Sequence, residues 1–369
     1  MADAGPAMTP ALSAAPTPPA PSPPARLPAA PPRAAPTPPA PSLPAGALAA
    51  PWGGRDVVTD LGGPVHWVDF GGPQGTATPP LVLVHGLGGS HLDWVRVAPA
   101  LAARRRVLAL DLPGFGLTPA AGRPATVAAS TALLGRFVRE VAGAPAVLAG
   151  NSMGGTVALL QAAADTAAAA GLVLIGTPVP VPGPRPWPDP PPAGDFALYQ
   201  RLAAEFTLYA TPGVGEFYLW SARWRLTPRQ QVERILALCF ADPRRASPQV
   251  TEASVALAEI RRSARGTERA FLQAARSLGA MAAWPARYRA LAGALNLPVL
   301  VIHGEHDRLV PAAAARRAAA AHPGWATALL PDVGHTPQLE APGEVVAAIT
   351  RWLAGRGADG GRRRAAAMR

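Results

Sequence analysis

Five short runs in this chain are apolar almost throughout rather than at every second position: Leu81 to His85, Val107 to Asp111, Ala146 to Ala149, Leu172 to Ile175 and Val299 to His303. A strand with one wet face alternates polar and apolar residues, so runs without alternation predict strands covered on both faces, as in a parallel sheet. Each run ends in a glycine-containing turn and leads into an alanine-rich stretch of helical composition. Strand and helix in alternation predict an α/β domain with helices on both sheet faces. Asp56 to Phe70 alternates more and predicts an antiparallel edge hairpin ahead of the parallel strands.

The alternation stops between Pro178 and about Leu291. Prolines at every second position from Pro178 to Pro190, then Pro191 and Pro192, exclude helix and central strand and predict an extended connector. Helical segments follow at Phe196 to Leu208, Glu216 to Trp224, Pro228 to Phe240, Val250 to Arg261 and Thr267 to Met281. They make a helical insertion over residues 179–292, between core segments 56–178 and 293–354. Outside this body the composition changes. Residues 1–55 hold 17 of the 46 prolines, with Ala-Pro-Thr-Pro-Pro-Ala-Pro-Ser at 15–22 and again at 35–42. That segment has too little bulky apolar surface to offset the entropy of ordering, and is expected to be a disordered tail. Residues 355–369, rich in glycine and arginine, read as a second, basic tail.

All 34 basic residues are arginine, and with 23 acids they give a net charge of +11. Strong basicity raises nucleic acid as a partner, but its distribution argues otherwise. Residues 351–369 carry six arginines against one acid and the insertion carries 15 against nine, whereas the sheet-forming segments carry ten against twelve. The core is not basic, and no nucleic-acid partner is expected. The single cysteine, Cys239, excludes an intrachain disulfide and a cysteine-based metal cluster, and reads as a small buried hydrophobe. No secretory leader and no membrane-spanning run is recognised, so a cytoplasmic protein is expected, with peripheral membrane contact left open.

Chemistry concentrates in Ala146-Val-Leu-Ala-Gly150-Asn151-Ser152-Met153-Gly154-Gly155-Thr156, a strand, then G-x-S-x-G, then a helix. A serine hydroxyl is a weak nucleophile. It must project clear of the sheet, reach a base and lie beside N–H groups that hold an oxyanion. A sharp strand-to-helix turn achieves this, and its crowding demands small residues two before and two after the serine. His85-Gly86-Leu87-Gly88-Gly89-Ser90 follows an earlier strand, and its glycines let backbone approach a ligand. The Leu87 and Met153 N–H groups are the expected oxyanion donors. Asp111-Leu-Pro113-Gly114-Phe115-Gly116 reads as a structural turn at the pocket floor. Downstream, Val299-Leu-Val-Ile-His303-Gly304-Glu305-His306-Asp307 places carboxylates past a strand, and Leu329-Leu-Pro-Asp332-Val-Gly334-His335 places a histidine in a glycine-flanked loop.

Together these motifs resemble the α/β-hydrolase fold family in its lid-bearing serine hydrolase branch, over residues 56 to 354. The resemblance implies a mostly parallel eight-stranded sheet with helices on both faces and an inserted helical lid. It implies that Ser152 is the nucleophile, His335 the general acid and base, and Asp307 the acid that orients the imidazole, in the chain order this fold uses. The family's G-x-x-D spacing from Gly304 selects Asp307 over Glu305. Asp332, His303 and His306 read as loop hydrogen-bonders and His322 as a helix-end residue. His85 is expected beneath the oxyanion loop, and His66 and His91 carry no signal. No metal, nucleotide or flavin is required.

The implied activity is hydrolysis of a carboxylic ester of a small hydrophobic substrate through an acyl-enzyme. Two alternatives stand beside it. Gly-Asn-Ser-Met-Gly-Gly is similar to the turn in hydrolases that cleave carbon–carbon bonds of aromatic ring-fission products, although those carry tryptophan after the catalytic histidine where this chain has Thr336. A non-catalytic binding protein on the same fold is the other. Ser152 excludes the epoxide-hydrolase and dehalogenase branches, whose nucleophile is an aspartate. Trp187, Phe196, Tyr199, Phe206, Tyr209, Phe217, Tyr218, Trp220 and Trp224 are expected either to line a substrate pocket or to form the insertion's own core. Sequence does not fix the oligomeric state.

Overall fold

A computed structural model describes residues 1, 48–73, 78–143, 145–179, 196–283 and 285–367. The chain divides into two compact units, Met1–Leu43 and Pro44–Arg369, and every element described here lies in the second. Residues 180–195, which hold all but the start of the proline connector, and residues 2–47 of the tail fall outside the described residues. Order begins before the end of the expected tail: Ala49 is buried, and Leu48 and Trp52 pack against the core.

The eight strands are β1 (Arg55–Asp60), β2 (Pro64–Asp69), β3 (Leu81–Val84), β4 (Val107–Leu110), β5 (Ala146–Asn151), β6 (Ala169–Ile175), β7 (Val299–Gly304) and β8 (Ala326–Leu330). They form one sheet in the order β1-β2-β4-β3-β5-β6-β7-β8. β1 pairs antiparallel with β2, and β2 with β4; every other pair is parallel. The edge hairpin and the buried strands therefore stand where the residue patterns put them.

Why the strands lack alternation is visible in their two faces. Val82, Val84, Leu108, Leu110, Leu148, Leu172, Leu174, Val299 and Val301 pack into one core cluster. Their neighbours Leu81, Leu83, Val107, Ala109, Val147, Ala149, Val173, Ile175, Leu300 and Ile302 pack into the other. Helices α2 (Val127–Phe137), α3 (Met153–Ala164) and α10 (Ala312–Ala321) contribute to the first, and α1 (Ala98–Ala102), α11 (Pro337–Glu340) and α12 (Pro342–Ala367) to the second. α12 continues beyond Gly355, where the sequence reading ended the domain.

Between β6 and β7 stand α4 (Phe196–Ala210), α5 (Val214–Arg225), α6 (Pro228–Cys239), α7 (Pro248–Ser263), α8 (Thr267–Ala283) and α9 (Pro285–Gly293). Proline at the first turn of α6 and α7, with Thr227 capping α6, starts these helices where a missing N–H does no harm. Polar contacts fasten the insertion to the core. The Arg261 guanidinium donates to the carbonyls of Gly114 and Gly116 at 2.8 and 3.2 Å, and Gln273 and Ser277 accept from the Ala125 and Val127 N–H groups.

Candidate active site

In parallel sheets of this kind the carboxyl ends of the strands carry ligands and chemistry. β5 ends at Asn151 and α3 begins at Met153, so Ser152 alone makes the turn, with φ 53° and ψ −119°. An L-residue held there costs roughly 1–3 kcal/mol, and such strain persists only where surrounding packing enforces it. The enforcement comes from glycines that allow no side chain. A Cβ at Gly150 would strike Gly154, one at Gly154 would strike the Val84 and His85 carbonyls, and one at Gly155 would strike Thr177. Ser152 N–H donates to the Ile175 carbonyl at 2.8 Å, which anchors the turn to β6.

His335 and Asp307 come together although 28 residues separate them: His335 Nδ1 lies 2.8 Å from Asp307 Oδ2. The other carboxylate oxygen accepts from the Leu309 and Val310 N–H groups, each at 2.8 Å. Burial alone would raise the Asp307 carboxyl, but the charge of His335 and the hydrogen bonds from His303 and His335 hold it below the ordinary carboxylate range. An ionised carboxylate on Nδ1 leaves the lone pair of a neutral imidazole on Nε2. The Asn151 amide, one residue before the serine, donates to the His335 carbonyl at 3.1 Å and so ties the histidine loop to the turn.

The glycine-rich loop that follows β3 lies beside the serine. A Cβ at Gly86 would stand 3.4 Å from the Ser152 Cβ. Among the described residues no hydrogen bond engages the Leu87 or Met153 N–H; Met153 is the first residue of α3, where N–H groups lack intrahelical partners. His85 is fully buried beneath this loop. The Leu112 N–H donates to its Nε2, so the proton sits on Nδ1 and is donated to the Gly86 carbonyl at 2.7 Å. Burial pushes its pKa down to about 4, so it stays neutral.

The competing residues point elsewhere. Glu305 pairs with Arg316, exposed His306 faces exposed Asp332 at 3.8 Å, and His322 stacks on Trp325. His303 Nε2 lies 2.8 Å from the Val310 carbonyl and 3.2 Å from Asp307 Oδ2, a supporting contact behind the Asp307–His335 pair.

Four features escape the sequence reading. His66 and His91, which carried no signal, converge on Asp111: both Nδ1 atoms lie within 2.9 Å of its Oδ2, which also accepts from the Leu117 N–H. Burial opposes charge on His66, but its hydrogen bonds to Asp111 and Asp56 outweigh that and raise it to about 9. The His66, His91 and Asp111 donor atoms all lie within 4.8 Å of one another, as a metal would require, yet the Asp111 oxygen is already ringed by three N–H donors. Buried Glu340 is the second feature. It accepts from Gly334 N–H at 2.7 Å and from Ala241 and Asp242 N–H at 3.1 and 3.0 Å, joining the histidine loop to the end of α6. There the half-buried Cys239 contributes its carbonyl, which accepts from the His335 N–H at 2.6 Å. Third, Asp93 crowds Gly89 of the glycine-rich loop after β3, and burial pushes its pKa up to about 7.

The fourth concerns the aromatic residues of the insertion. Phe271, not singled out from sequence, lies against the glycine-rich loop after β3: a Cβ on Gly88 would meet its ring at 3.4 Å. Tyr209 packs on Phe271 and Tyr218 on Tyr209, with ring centres 5.2 and 5.8 Å apart. Phe217, Trp220 and Trp224 instead face solvent, which removes them from any pocket lining. Trp187 lies outside the described residues.

A doubly covered, mostly parallel sheet with a strained serine between strand and helix, and a histidine–aspartate pair past later strands, defines a class of α/β enzyme fold. The chain belongs to the alpha/beta hydrolase family, whose profile matches residues 81–349. It is 34% identical over 268 residues to a pimeloyl-[acyl-carrier protein] methyl ester esterase of Aromatoleum aromaticum, covering 72% of this chain and 94% of that one. It is 30% identical over 290 residues to a dihydrolipoyllysine-residue acetyltransferase component of an acetoin cleaving system from Pseudomonas putida, covering 76% of this chain but only 64% of that relative's length. Among solved structures it resembles a haloalkane dehalogenase DbeA variant from Bradyrhizobium elkanii, with TM-score 0.70, 22% identity, and coverage of 84% and 99% of the two chains. That likeness is one of fold alone.

Proposed function

We propose that this protein is a serine hydrolase that cleaves a carboxylic ester of a hydrophobic substrate through an acyl-enzyme on Ser152. The observation that carries the reading is the strained Ser152 backbone at the β5–α3 turn, because a non-glycine residue held at a disfavoured conformation by three flanking glycines serves to expose its hydroxyl. In this reading His335 takes the Ser152 proton through Nε2 while Asp307 holds the imidazole by Nδ1 and stabilises its cationic form. The alkoxide attacks the ester carbonyl, and the Leu87 and Met153 N–H groups hold the oxyanion. The alcohol leaves with the proton from His335, and water repeats the sequence to release the acid.

The helical insertion acts as a lid. Phe271, with Tyr209 behind it, offers an apolar wall next to the oxyanion loop. The ester reading is favoured over carbon–carbon cleavage by Thr336 after the histidine and by the similarity to the methyl ester esterase of Aromatoleum aromaticum. No metal or organic cofactor enters these steps. The test is a panel of p-nitrophenyl esters of increasing acyl length with Ser152→Ala as control. Turnover by the parent and loss of at least about 10³-fold in the variant is expected; equal turnover by both removes Ser152 from the mechanism.

A further inference from the structure

We propose that the outer face of α5 docks this protein onto an anionic lipid surface. Val214, Phe217, Trp220 and Trp224 recur at helical spacing along one side of the helix, and all four are exposed, the three aromatics by 65, 55 and 69%. Their rings form a continuous ridge, with centres 5.8 Å apart between Phe217 and Trp220 and 6.4 Å between Trp220 and Trp224. The opposite side of α5 is where the helix meets its own fold: Gly215 is buried against α4 and Leu272, and Tyr218 packs on Tyr209. Isolated exposed aromatics are ordinary on protein surfaces, but a contiguous ridge of three is not.

Charge around the ridge identifies the occupant. At the C-terminal end of α5, Arg223 donates to the Arg262 carbonyl and Arg262 to that of Arg223, which brings the α7–α8 turn alongside. Arg225, Arg265 and Arg269 are exposed there, and among the described residues none of the three has a carboxylate partner. Glu268, the carboxylate of that turn, is taken by Arg223 at 3.0 Å. Trp and Phe seat at the boundary between headgroups and acyl chains, and arginines beside them pair with phosphate oxygens. A convex ridge suits a deformable lipid surface better than the concave groove a helical peptide would need.

The test is sedimentation of the full chain with vesicles of mixed phosphatidylglycerol and phosphatidylcholine, compared with phosphatidylcholine alone. Three proteins are compared: parent, Phe217→Ser/Trp220→Ser/Trp224→Ser, and Arg265→Glu/Arg269→Glu, all retaining the arginine-rich C-terminus and Ser152. Parent binding to the anionic vesicles is expected to fall at least about tenfold in each variant and on raising salt, with the far-ultraviolet circular dichroism and soluble-ester turnover of both variants unchanged. Binding is read without catalysis, so failure of the ester reading leaves this test intact. Parent protein that does not sediment with anionic vesicles, or variants that sediment as well as the parent, would overturn the proposal. So would a ridge whose removal only dissolves a dimer, which would assign it to a second copy of this chain.

Discussion

Replacing Glu340 with glutamine tests whether the histidine loop is held from beneath. The carboxylate accepts two N–H groups on Oε2, from Gly334 and Ala241, and one on Oε1, from Asp242, with Arg245 3.7 Å away. Glutamine in the same rotamer has one oxygen. Placed at Oε2 it keeps two acceptor contacts and turns its NH2 toward the Asp242 N–H; placed at Oε1 it keeps one and opposes two. The better arrangement loses one charge-assisted hydrogen bond outright and weakens two others at a buried position, about 2–3 kcal/mol. For a domain of this size, with an unfolding entropy of about 2.1 cal/mol/K per residue, that is a fall of about 3–5 °C in Tm. His335 stands one residue past Gly334, so its ring loses its fixed position, and kcat on a short p-nitrophenyl ester is expected to drop about tenfold with KM little changed. Thermal unfolding followed by circular dichroism and steady-state kinetics measure the two effects. A Glu340→Gln protein with unchanged Tm and kcat would refute the argument that this carboxylate positions the loop.

Other perturbations have equally definite outcomes. Because the folded pKa of His66 is raised from 6.5 to about 9, its contribution to stability is complete below pH 6.5 and is lost as pH rises through 9. Urea midpoints should therefore fall between pH 6.5 and 9.5, and His66→Gln should flatten that slope; an equal slope in the variant would show that another group titrates. Gly154→Ala would drive a methyl into the Val84 and His85 carbonyls, backbone atoms that cannot step aside, and should cost at least about 3 kcal/mol in chemical denaturation, whereas Gly143→Ala, with open space around it but φ 76°, should cost about 1 kcal/mol. Asp307→Asn should lower kcat by about 10³- to 10⁴-fold while leaving the fold intact, since an amide facing Nδ1 favours the wrong tautomer; activity near that of the parent would reassign the orienting acid.

The fold was legible because its parallel strands are buried on both faces, so each carries its signature locally. The turn at Ser152 was equally legible, since crowding restricts Gly150, Gly154 and Gly155 within five residues of chain. Contacts between distant segments were not. Asp111 meets His66 across 45 residues and Ala241 meets Glu340 across 99, and nothing near either acid in the sequence marks its partners. The aromatic residues of the insertion failed for a different reason. Helical spacing gathers Phe217, Trp220 and Trp224 onto one face, but which face turns inward is settled by Gly215 and Tyr218 packing on neighbouring helices. Phe271 is unremarkable in sequence and acquires meaning only through Gly88.

The most direct measurement is to react the full chain with a fluorophosphonate and map the modified peptide by mass spectrometry. A single adduct on Ser152 is expected, absent from Ser152→Ala and formed far more slowly in His335→Ala, whose nucleophile has lost its base. Ester turnover without that adduct, or an adduct on a different residue, would contradict the assignment of Ser152.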